Sequence, residues 1–301
     1  MKKAVGILIL FYLLFSCTRS LEFDLDFENP LVINCIMEQG KQAELIAYQS
    51  IDFVDSFHFE RICDLDATLS ILSTGNESTF VNSTDNLCYY TTQNFFLPLG
   101  ESVKLNVTYG SNTYSASTSP VKEINASVNL DEFKLIESVQ KQVWNPEEQT
   151  ISIVRYNSYQ LTSIVTDNSN LSHRVGYSFD YKDGQKRNKA ICDFKDIPYF
   201  RNNDFFDDIY AVSKEISTEN LFHINVSFSL PDSIEQVKVY SKYYYLNEEL
   251  FDYISINNAH AESFGDPFVT PIPPYTNIEN GLGIFAAYNV KLDSFLIDLP
   301  D

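Results

Sequence analysis

Residues 275–299 read YTNIENGLGIFAAYNVKLDSFLIDL, and this stretch near the C-terminus decides how we interpret the rest of the chain. Within it, Asn280, Gly281 and Gly283 predict a structural turn, because glycine accepts a positive φ and lets two backbones approach closely. An apolar run over 284–288 follows the turn directly and predicts a buried strand. A strand at this place in the chain is expected to complete a sheet and to hold the terminus in place.

The composition is typical of an acidic globular protein. The chain has 301 residues, which is enough for two domains of ordinary size, and 44% of its residues are hydrophobic. Its formal net charge is −20, so it offers no basic footprint for phosphate backbones and we expect no nucleic-acid partner. Acidity of this kind is typical of a solvated surface. Capture of cations or basic peptides is the alternative, and no stretch of the sequence localises such a site.

The N-terminus, residues 1–16, has the pattern of a secretory signal peptide. Lys2 and Lys3 precede a short apolar run, which is shorter than the ~20 residues that a membrane-spanning helix needs. The run ends in Leu14-Phe15-Ser16-Cys17, which resembles a bacterial lipobox. The resemblance implies cleavage before Cys17 and acylation of that cysteine, and hence a lipid anchor in the outer membrane. The alternative is an ordinary signal peptide followed by a coincidental cysteine.

Residues 17–28 predict an acidic tether between the anchor and the folded part. Four acids, at positions 22, 24, 26 and 28, alternate with apolar residues. Acids soon after a lipidated cysteine resemble the surface-export signals of Bacteroidota, which implies a location facing the cell exterior. A solvated tether without an export role is the alternative.

The mature chain has the pattern of a mainly β protein. Short strands separated by polar turns, such as Val103–Tyr109, predict an N-terminal immunoglobulin-like β-sandwich over residues 29–125. Residues 126–301 predict a second β-rich domain with one substantial helix near 242–258. Residues 128–143 fit two patterns. Phe133, Ile136, Val139 and Val143 have helical spacing there, although the neighbouring segments are rich in strand formers.

Four cysteines besides Cys17 remain, Cys35, Cys63, Cys88 and Cys192, and they allow three connectivities. Cys63 and Cys88 flank one predicted hairpin and form the favoured pair, with buried free thiols as the alternative. The sequence has no CxxC spacing, so we expect no structural zinc site and assign no metal ligands.

Motifs for common enzyme classes are not found in the sequence. It contains no HExxH, no G-x-S-x-G and no phosphate-binding glycine loop, so we assign no catalytic residues, expect no cofactor and predict that the protein is not an enzyme. Paired carboxylates of the kind that hydrolyse glycosides stay open, because their positions in a sequence are arbitrary.

Two further segments are candidates for a site. Tyr243, Tyr244 and Tyr245 are candidates for lining a ligand groove, with packing of the predicted helix as the alternative. Ser233 lies in Asp-Ser-Ile, which resembles the short O-glycosylation motif of Bacteroidota.

Several segments occur in an order that resembles one family. They are the lipobox, LVINCI after the tether, DLDATLSIL, YSASTSPVKEI, YYYLNEELFDYI and DPFVTPIPPYTNIENGLGIFAAY. Together they resemble the Bacteroidota outer-membrane lipoproteins known as domain of unknown function number 4249, over nearly the whole mature chain. No catalytic residues follow from this resemblance.

The resemblance implies a non-enzymatic accessory to a TonB-dependent receptor that helps to bind or take up an unknown small nutrient or peptide. A structural or adhesive surface module is the main alternative, and a hydrolase is the weaker one.

Overall fold

A computed structural model describes residues 31–49, 60–83, 88–145, 149–167, 174–183, 186–189, 191–194, 200–201, 210–213, 221–264 and 273–299. The first eight strands are β1 (Leu31–Glu38), β2 (Glu44–Gln49), β3 (Glu60–Arg61), β4 (Asp66–Ile71), β5 (Glu77–Asn82), β6 (Tyr90–Thr92), β7 (Val103–Tyr109) and β8 (Asn112–Thr118). The next seven are β9 (Ala126–Asn145), β10 (Thr150–Asp167), β11 (Arg174–Asp183), β12 (Lys186–Lys189), β13 (Ile191–Phe194), β14 (Phe200–Arg201) and β15 (Tyr210–Ser213). The last elements are β16 (Leu221–Pro231), β17 (Gln236–Leu246), helix α1 (Glu248–Phe264) and β18 (Leu282–Asp298).

The strands form two sheets, which confirms the prediction of a mainly β fold with one helix. The larger sheet has 14 strands, in the order β14-β15-β11-β17-β18-β1-β2-β6-β5-β4-β7-β8, with β12 and β3 attached to β11 and β2. The smaller sheet has four strands, in the order β13-β16-β10-β9. The strands β1–β8 enclose one hydrophobic core, and a second core lies where the smaller sheet packs on β17 and the end of β18.

Strand β18 lies in the middle of the larger sheet, between β17 and β1. It pairs antiparallel with β17 and parallel with β1, so the predicted C-terminal strand is central rather than an edge. Because side chains alternate along a strand, Phe285 packs in the core of β1–β8 while Ile284 packs under α1. Farther along, Ile297 packs in the second core. One strand therefore contributes to all three hydrophobic clusters.

The pairing of β18 with β1 joins the two segments that the sequence predicted to be separate domains, residues 29–125 and 126–301. Strand β18 comes from the second segment, yet its direct neighbour β1 belongs to the first. The edge strand β8 also approaches the turn before β18, where Glu279 N donates to Ser115 O at 2.8 Å. The division of the chain into two domains stays a prediction.

The helix lies later in the chain than the sequence predicted. It spans Glu248–Phe264 rather than 242–258, because residues up to Leu246 continue β17. Asn247 caps the helix, since its Oδ1 accepts from Leu250 N at 3.1 Å. Leu250 packs on β17 and β18 as the apolar spacing indicated. Among the described residues, no helix has the length and apolar character needed to cross a membrane.

The favoured cysteine pair is confirmed. Cys63 and Cys88 form a disulfide, and Cys35 is a buried free thiol in the core of β1–β8. Burial, followed by the charge of Glu44, raises the pKa of the Cys35 thiol, which keeps it protonated and unreactive. The side chain of Cys192 lies outside the described residues.

Candidate interaction surface

Strands β9 and β10 form a long antiparallel pair that extends beyond the smaller sheet. The pair runs from Ala126 opposite Asp167 to Asn145 opposite Thr150. On its other side β10 pairs with β16, and that strand ends at Pro231, opposite Tyr156. Past this point, residues 140–145 and 150–155 form a two-stranded ribbon that no third strand of the described residues joins. We call residues 138–145 and 150–155 the distal ribbon, with Ser138 and Val139 at its base.

The base of the distal ribbon is firmly packed. The ring centroid of Tyr159 lies 5.3 Å from that of Phe133 and 5.9 Å from that of Phe228, and Tyr181 stacks on Phe228 at 5.1 Å. Offset aromatic pairs at these separations are favourable. Just beyond Tyr156 the turn after β16 is joined to the ribbon, because Asp232 N donates to Arg155 O at 3.0 Å. The ribbon thus projects from a well-defined base.

One face of the distal ribbon exposes a contiguous apolar cluster. Trp144, the sole tryptophan of the chain, stands opposite Ile151, and Ile153 follows on the same face. The exposed fractions of these three residues are 56%, 61% and 67%. A single exposed apolar residue is ordinary, but three adjacent large ones on a projecting element are typical of an interaction site.

The opposite face of the distal ribbon is better covered. Val143, Val154 and Tyr156 are half-buried there, and Lys141 Nζ lies 5.1 Å above the centre of the Tyr156 ring. A cation held over an aromatic ring in this way is attracted by the ring's negative face. The two faces therefore differ, and the exposed apolar cluster belongs to only one of them.

The stability of a lone hairpin supports the same interpretation. Two-stranded ribbons in water are at best marginally stable, and a third strand or a packed face normally supports them. In the described part of the chain, no third strand supports residues 150–154, and the face of Trp144, Ile151 and Ile153 is exposed. Contact with another molecule would supply the missing support, so the distal ribbon is the candidate functional site.

The three tyrosines proposed as a groove do not meet at one surface. They lie on β17, where successive side chains alternate between faces. Tyr243 is buried in the core beneath the smaller sheet, Tyr244 under α1, and Tyr245 in the core of β1–β8. Each ring fills a different hydrophobic cluster.

The turn residues Asn280, Gly281 and Gly283 lie directly before and within the start of β18. Asn280 and Gly283 have φ values of 64° and 108°, in the left-handed region. Gly281 has an ordinary φ but lies against Leu31 and Tyr114, and a Cβ there would come within 3.0 Å of Leu31 O. The turn therefore brings β18 beside the start of β1.

The remaining sequence candidates lie elsewhere. Ser233 is exposed in the turn between β16 and β17, so it is accessible to a modifying enzyme. Cys17 and its tether lie outside the described residues. Within the described part of the chain, no group of three or more His, Cys, Asp or Glu residues is placed to hold a metal ion.

Two polar side chains next to the central strands and the helix, Tyr288 and Glu249, form structural contacts. The hydroxyl of Tyr288 donates to Glu38 Oε2 at 2.9 Å, and burial, followed by the charge of Glu38, raises the pKa of Tyr288. Glu249, at the start of α1, accepts from Ser119 N at 3.0 Å and from Ser119 Oγ at 2.7 Å. These contacts join elements that are distant in sequence.

Sequence reasoning missed the exposed cluster. Trp144, Ile151 and Ile153 occur in strand-forming sequence, and period-2 alternation alone does not tell a solvent face from a core face. A usable signal was Asn145-Pro146 between two segments of strand formers, since it placed the sole tryptophan at the end of a strand.

The comparisons with known proteins identify a family but no function. Residues 18–293 match the family described as "Domain of unknown function (DUF4249)". No curated protein is significantly similar to the chain.

Solved structures resemble the chain only loosely. A structure described as "Complete structure of manganese lipoxygenase of Gaeumannomyces graminis and partial structure of zonadhesin of Komagataella pastoris" has 10% identity and a TM-score of 0.18, covering 73% of this chain and 90% of that one. A marsupial T cell receptor has 7% identity and a TM-score of 0.19, covering 71% and 91%. The collagen binding domain of Erysipelothrix rhusiopathiae surface protein RspB has 10% identity and a TM-score of 0.15, covering 87% and 96%. No conclusion follows from TM-scores this low.

Proposed function

We propose that this chain, which belongs to the family described as domain of unknown function DUF4249, is a non-enzymatic, lipid-anchored binding protein of the Bacteroidota outer membrane. In this proposal it faces the cell exterior and assists a TonB-dependent receptor in binding or taking up a small nutrient or peptide. The observation that carries the proposal is the exposed apolar cluster of Trp144, Ile151 and Ile153 on the distal ribbon.

The position of the ribbon relative to the anchor supports a protein partner. The lipobox and tether precede Leu31, which lies beside the turn that begins β18. The base of the ribbon lies at the other end of β18, because Leu299 N donates to Glu235 O in the turn that Asp232 joins to the ribbon. About 50 Å of strand separates the two ends, at ~3.3 Å per residue. The tether of a chain anchored through Cys17 thus joins the sheet at the end of β18 opposite the ribbon.

The arrangement of charged pairs among the described residues fits a binding role better than a catalytic one. Asp180 pairs with Lys242 at 3.2 Å between β11 and β17, and Glu38 pairs with Lys41 at 2.7 Å as well as with Tyr288. A hydrolase would need such groups to converge on one pocket beside a substrate. These pairs instead join neighbouring strands or one strand to the loop that follows it.

Co-purification from native outer membranes tests the proposal. The full chain carries a C-terminal tag, and its partners are identified after detergent extraction. We expect a TonB-dependent receptor to co-purify with the wild-type chain and to be lost from the double variant Trp144→Ala with Ile153→Ser. The matched control is Leu292→Ser, because Leu292 is 56% exposed and lies in the middle of β18, farther from the base of the ribbon at Leu299.

Two outcomes would overturn the proposal. If no receptor is enriched by the wild-type chain, the accessory role fails. If the receptor is retained equally by the ribbon variant, the ribbon is not the contact surface. Enrichment of other cell-surface proteins in place of a receptor would favour the adhesive module, for which the same exposed ribbon is suited.

A further inference from the structure

We propose that the outer edge of β9 along the distal ribbon, Ser138–Trp144, binds an extended segment of a partner protein, which joins the smaller sheet as an additional strand. This inference rests on the proposed function, because it names the kind of contact that the ribbon makes with its partner. The partner segment is recognised by its backbone and by an acidic side chain that lies between two apolar side chains on one face of the strand.

The direction of the backbone groups follows from one hydrogen bond. Arg155 O accepts from Asp232 N, so the N–H and C=O groups of Arg155 face the β16 side of β10. Gln140 is the partner of Arg155 on β9, and in an antiparallel pair its own N–H and C=O groups must then face away from β10. The same direction recurs at every second residue, at Ser138, Gln142 and Trp144.

This row of outward groups is open to another strand. β9 is the last strand of the smaller sheet, and no other described strand pairs with its outer edge. Unpaired N–H and C=O groups along a regular edge are a template for pairing with a further chain.

The two halves of β9 differ in how open their outer edge is to the addition of a strand. In the half near the base, the pairing register shifts opposite Ser158/Tyr159 and again opposite Thr162/Ser163, and each shift leaves one β9 residue unpaired. That half also carries most of the exposed charges of β9, at positions 131, 132, 134 and 137. Bulges and charges are the usual means of preventing strand addition. From Ser138 to Trp144 the register is regular and one charge, Lys141, remains.

The side chains of the open edge indicate what the partner segment carries. Val139 and Val143 flank Lys141 on one face, and Trp144 lies on the other. An added strand would therefore place a carboxylate opposite Lys141 and apolar residues on either side. A second copy of this chain fits less well, because antiparallel pairing centred on this edge brings two Lys141 residues together instead of placing a carboxylate opposite Lys141.

A peptide binding assay tests strand addition directly. The probe is the fluorescein-labelled, acetylated octapeptide Thr-Val-Thr-Glu-Thr-Val-Thr-Thr, in which the glutamate and the two valines that flank it share one face of the strand. The protein is the full chain with Cys17→Ala. We expect saturable binding by fluorescence polarisation. A second peptide with N-methyl groups on every second amide cannot donate to β9 along one edge, and we expect its affinity to fall about tenfold or more. A version with lysine in place of glutamate should bind about as weakly.

Matched variants test the edge itself. Gln140→Pro removes an outward N–H that β10 does not use, so it blocks strand addition and leaves the β9–β10 pairing intact. Gln140→Thr keeps the N–H at the same position and is the control. We expect the affinity for the probe to fall about tenfold in Gln140→Pro and to stay within about twofold in Gln140→Thr.

Several results would overturn the inference. They are absence of probe binding, equal binding of the N-methylated peptide, and equal binding by Gln140→Pro. Concentration-dependent dimerisation in ultracentrifugation that Gln140→Pro abolishes would make a second copy the occupant. Sedimentation of the chain with phosphatidylethanolamine and phosphatidylglycerol vesicles, lost in Ile153→Ser, would make a lipid surface the occupant.

The two proposals can fail separately. Receptor capture that depends on Trp144 and Ile153, together with no effect of Gln140→Pro, would keep the proposed function and overturn strand addition. Probe binding that depends on Gln140, with no receptor co-purifying, would keep strand addition and overturn the proposed function.

Discussion

The side-chain amide of Asn277 forms two hydrogen bonds with the backbone of Phe285. Its Nδ2 donates to the Phe285 carbonyl at 2.7 Å, and its Oδ1 accepts from the Phe285 N–H at 2.8 Å. At this point β17 has already ended, since the last residue pair between β17 and β18 joins Leu246 to Tyr288. Asn277 therefore satisfies backbone groups that β17 leaves unpaired inside the sheet.

Replacing this amide should destabilise the fold. We expect Asn277→Ala to lower the free energy of unfolding by about 2 kcal/mol, because both Phe285 groups lose their partner where water has little access. Asn277→Asp should not restore stability, since a carboxylate would face the Phe285 carbonyl. Denaturant titration measures the change. Asn289→Ala is the control, because the Asn289 amide makes one exposed hydrogen bond, to Lys122 O; equal losses in the two variants would contradict the role of Asn277.

The sequence predicted the strands with regular alternation better than those without it. The apolar run 284–288 was correctly predicted as a buried strand, and its alternate residues divide between two cores. The segment 128–143 was left open between helix and strand, and it is part of β9. Its pairing skips Ile136, so the alternation changes phase there and Phe133, Ile136 and Val139 acquire helix-like spacing.

Other features of the fold could not be predicted from the sequence. The predicted helix began six residues too early. Residues up to Leu246 belong to β17, but the spacing from the three tyrosines to Leu250 is also helical and suggested a helix there. Pairing with β18 on one side and β11 on the other overrides that local preference. The role of Asn277 depends on where β17 ends, and the exposure of Trp144 depends on where β16 ends. Both are consequences of long-range pairing that a single sequence does not specify.

Gly283 should be among the least replaceable residues of the chain. It has a φ of 108°, and a Cβ there would lie 2.0 Å from Ile33 O on the paired strand β1. We expect Gly283→Ala to cost about 4 kcal/mol or more, because relief requires β1 and β18 to separate. Thermal melting with circular dichroism measures the loss.

The control for this change is Gly110→Ala. Gly110 also has a positive φ, of 61°, but a Cβ there meets no atom within 4 Å. It should therefore cost only the ordinary strain of a left-handed residue, about 1–2 kcal/mol. If Gly283→Ala is no worse than Gly110→Ala, close approach to Ile33 is not what demands glycine at position 283.

Tyr288 should make stability depend on alkaline pH. Burial first, and then Glu38, raise its pKa in the folded state above the ordinary value of 10.0. A group whose folded pKa is raised contributes stability that is complete below its unfolded pKa and is lost as the pH rises above it. At pH 7 we expect Tyr288→Phe to be about 2 kcal/mol less stable than wild type, because it loses a hydrogen bond to a carboxylate.

Above pH 10 the deficit of Tyr288→Phe should shrink. The wild-type chain then loses up to about 1.4 kcal/mol per pH unit through this phenol, and the variant does not. Urea titrations of both proteins at pH 7, 9 and about 11 measure the difference. A deficit that is constant over this range would show that the Tyr288 phenol ionises alike in the folded and unfolded chains.

Phe285→Ala should reveal whether β18 couples the cores. Phe285 is fully buried in the core of β1–β8, and deleting such a side chain costs about 3–5 kcal/mol. Because the same strand carries Ile284 under α1 and Ile297 in the second core, loss of β18 from one cluster should release it from the others. We therefore expect the whole described sheet system to unfold in one transition at a lower temperature.

Hydrogen exchange measured by mass spectrometry can separate the two cores. Peptides from β7 report on the core of β1–β8, and peptides from β16 report on the core beneath the smaller sheet. In a coupled structure, Phe285→Ala reduces protection in both by a similar free energy, because both open through the same global unfolding. Leu296→Ala is the control, since that exposed side chain of β18 belongs to neither core and should leave both protections within about 0.5 kcal/mol of wild type. If β16 keeps its full protection while β7 loses it, the segments before and after residue 125 are independent folding units, and the parallel pairing of β1 with β18 does not bind them into one.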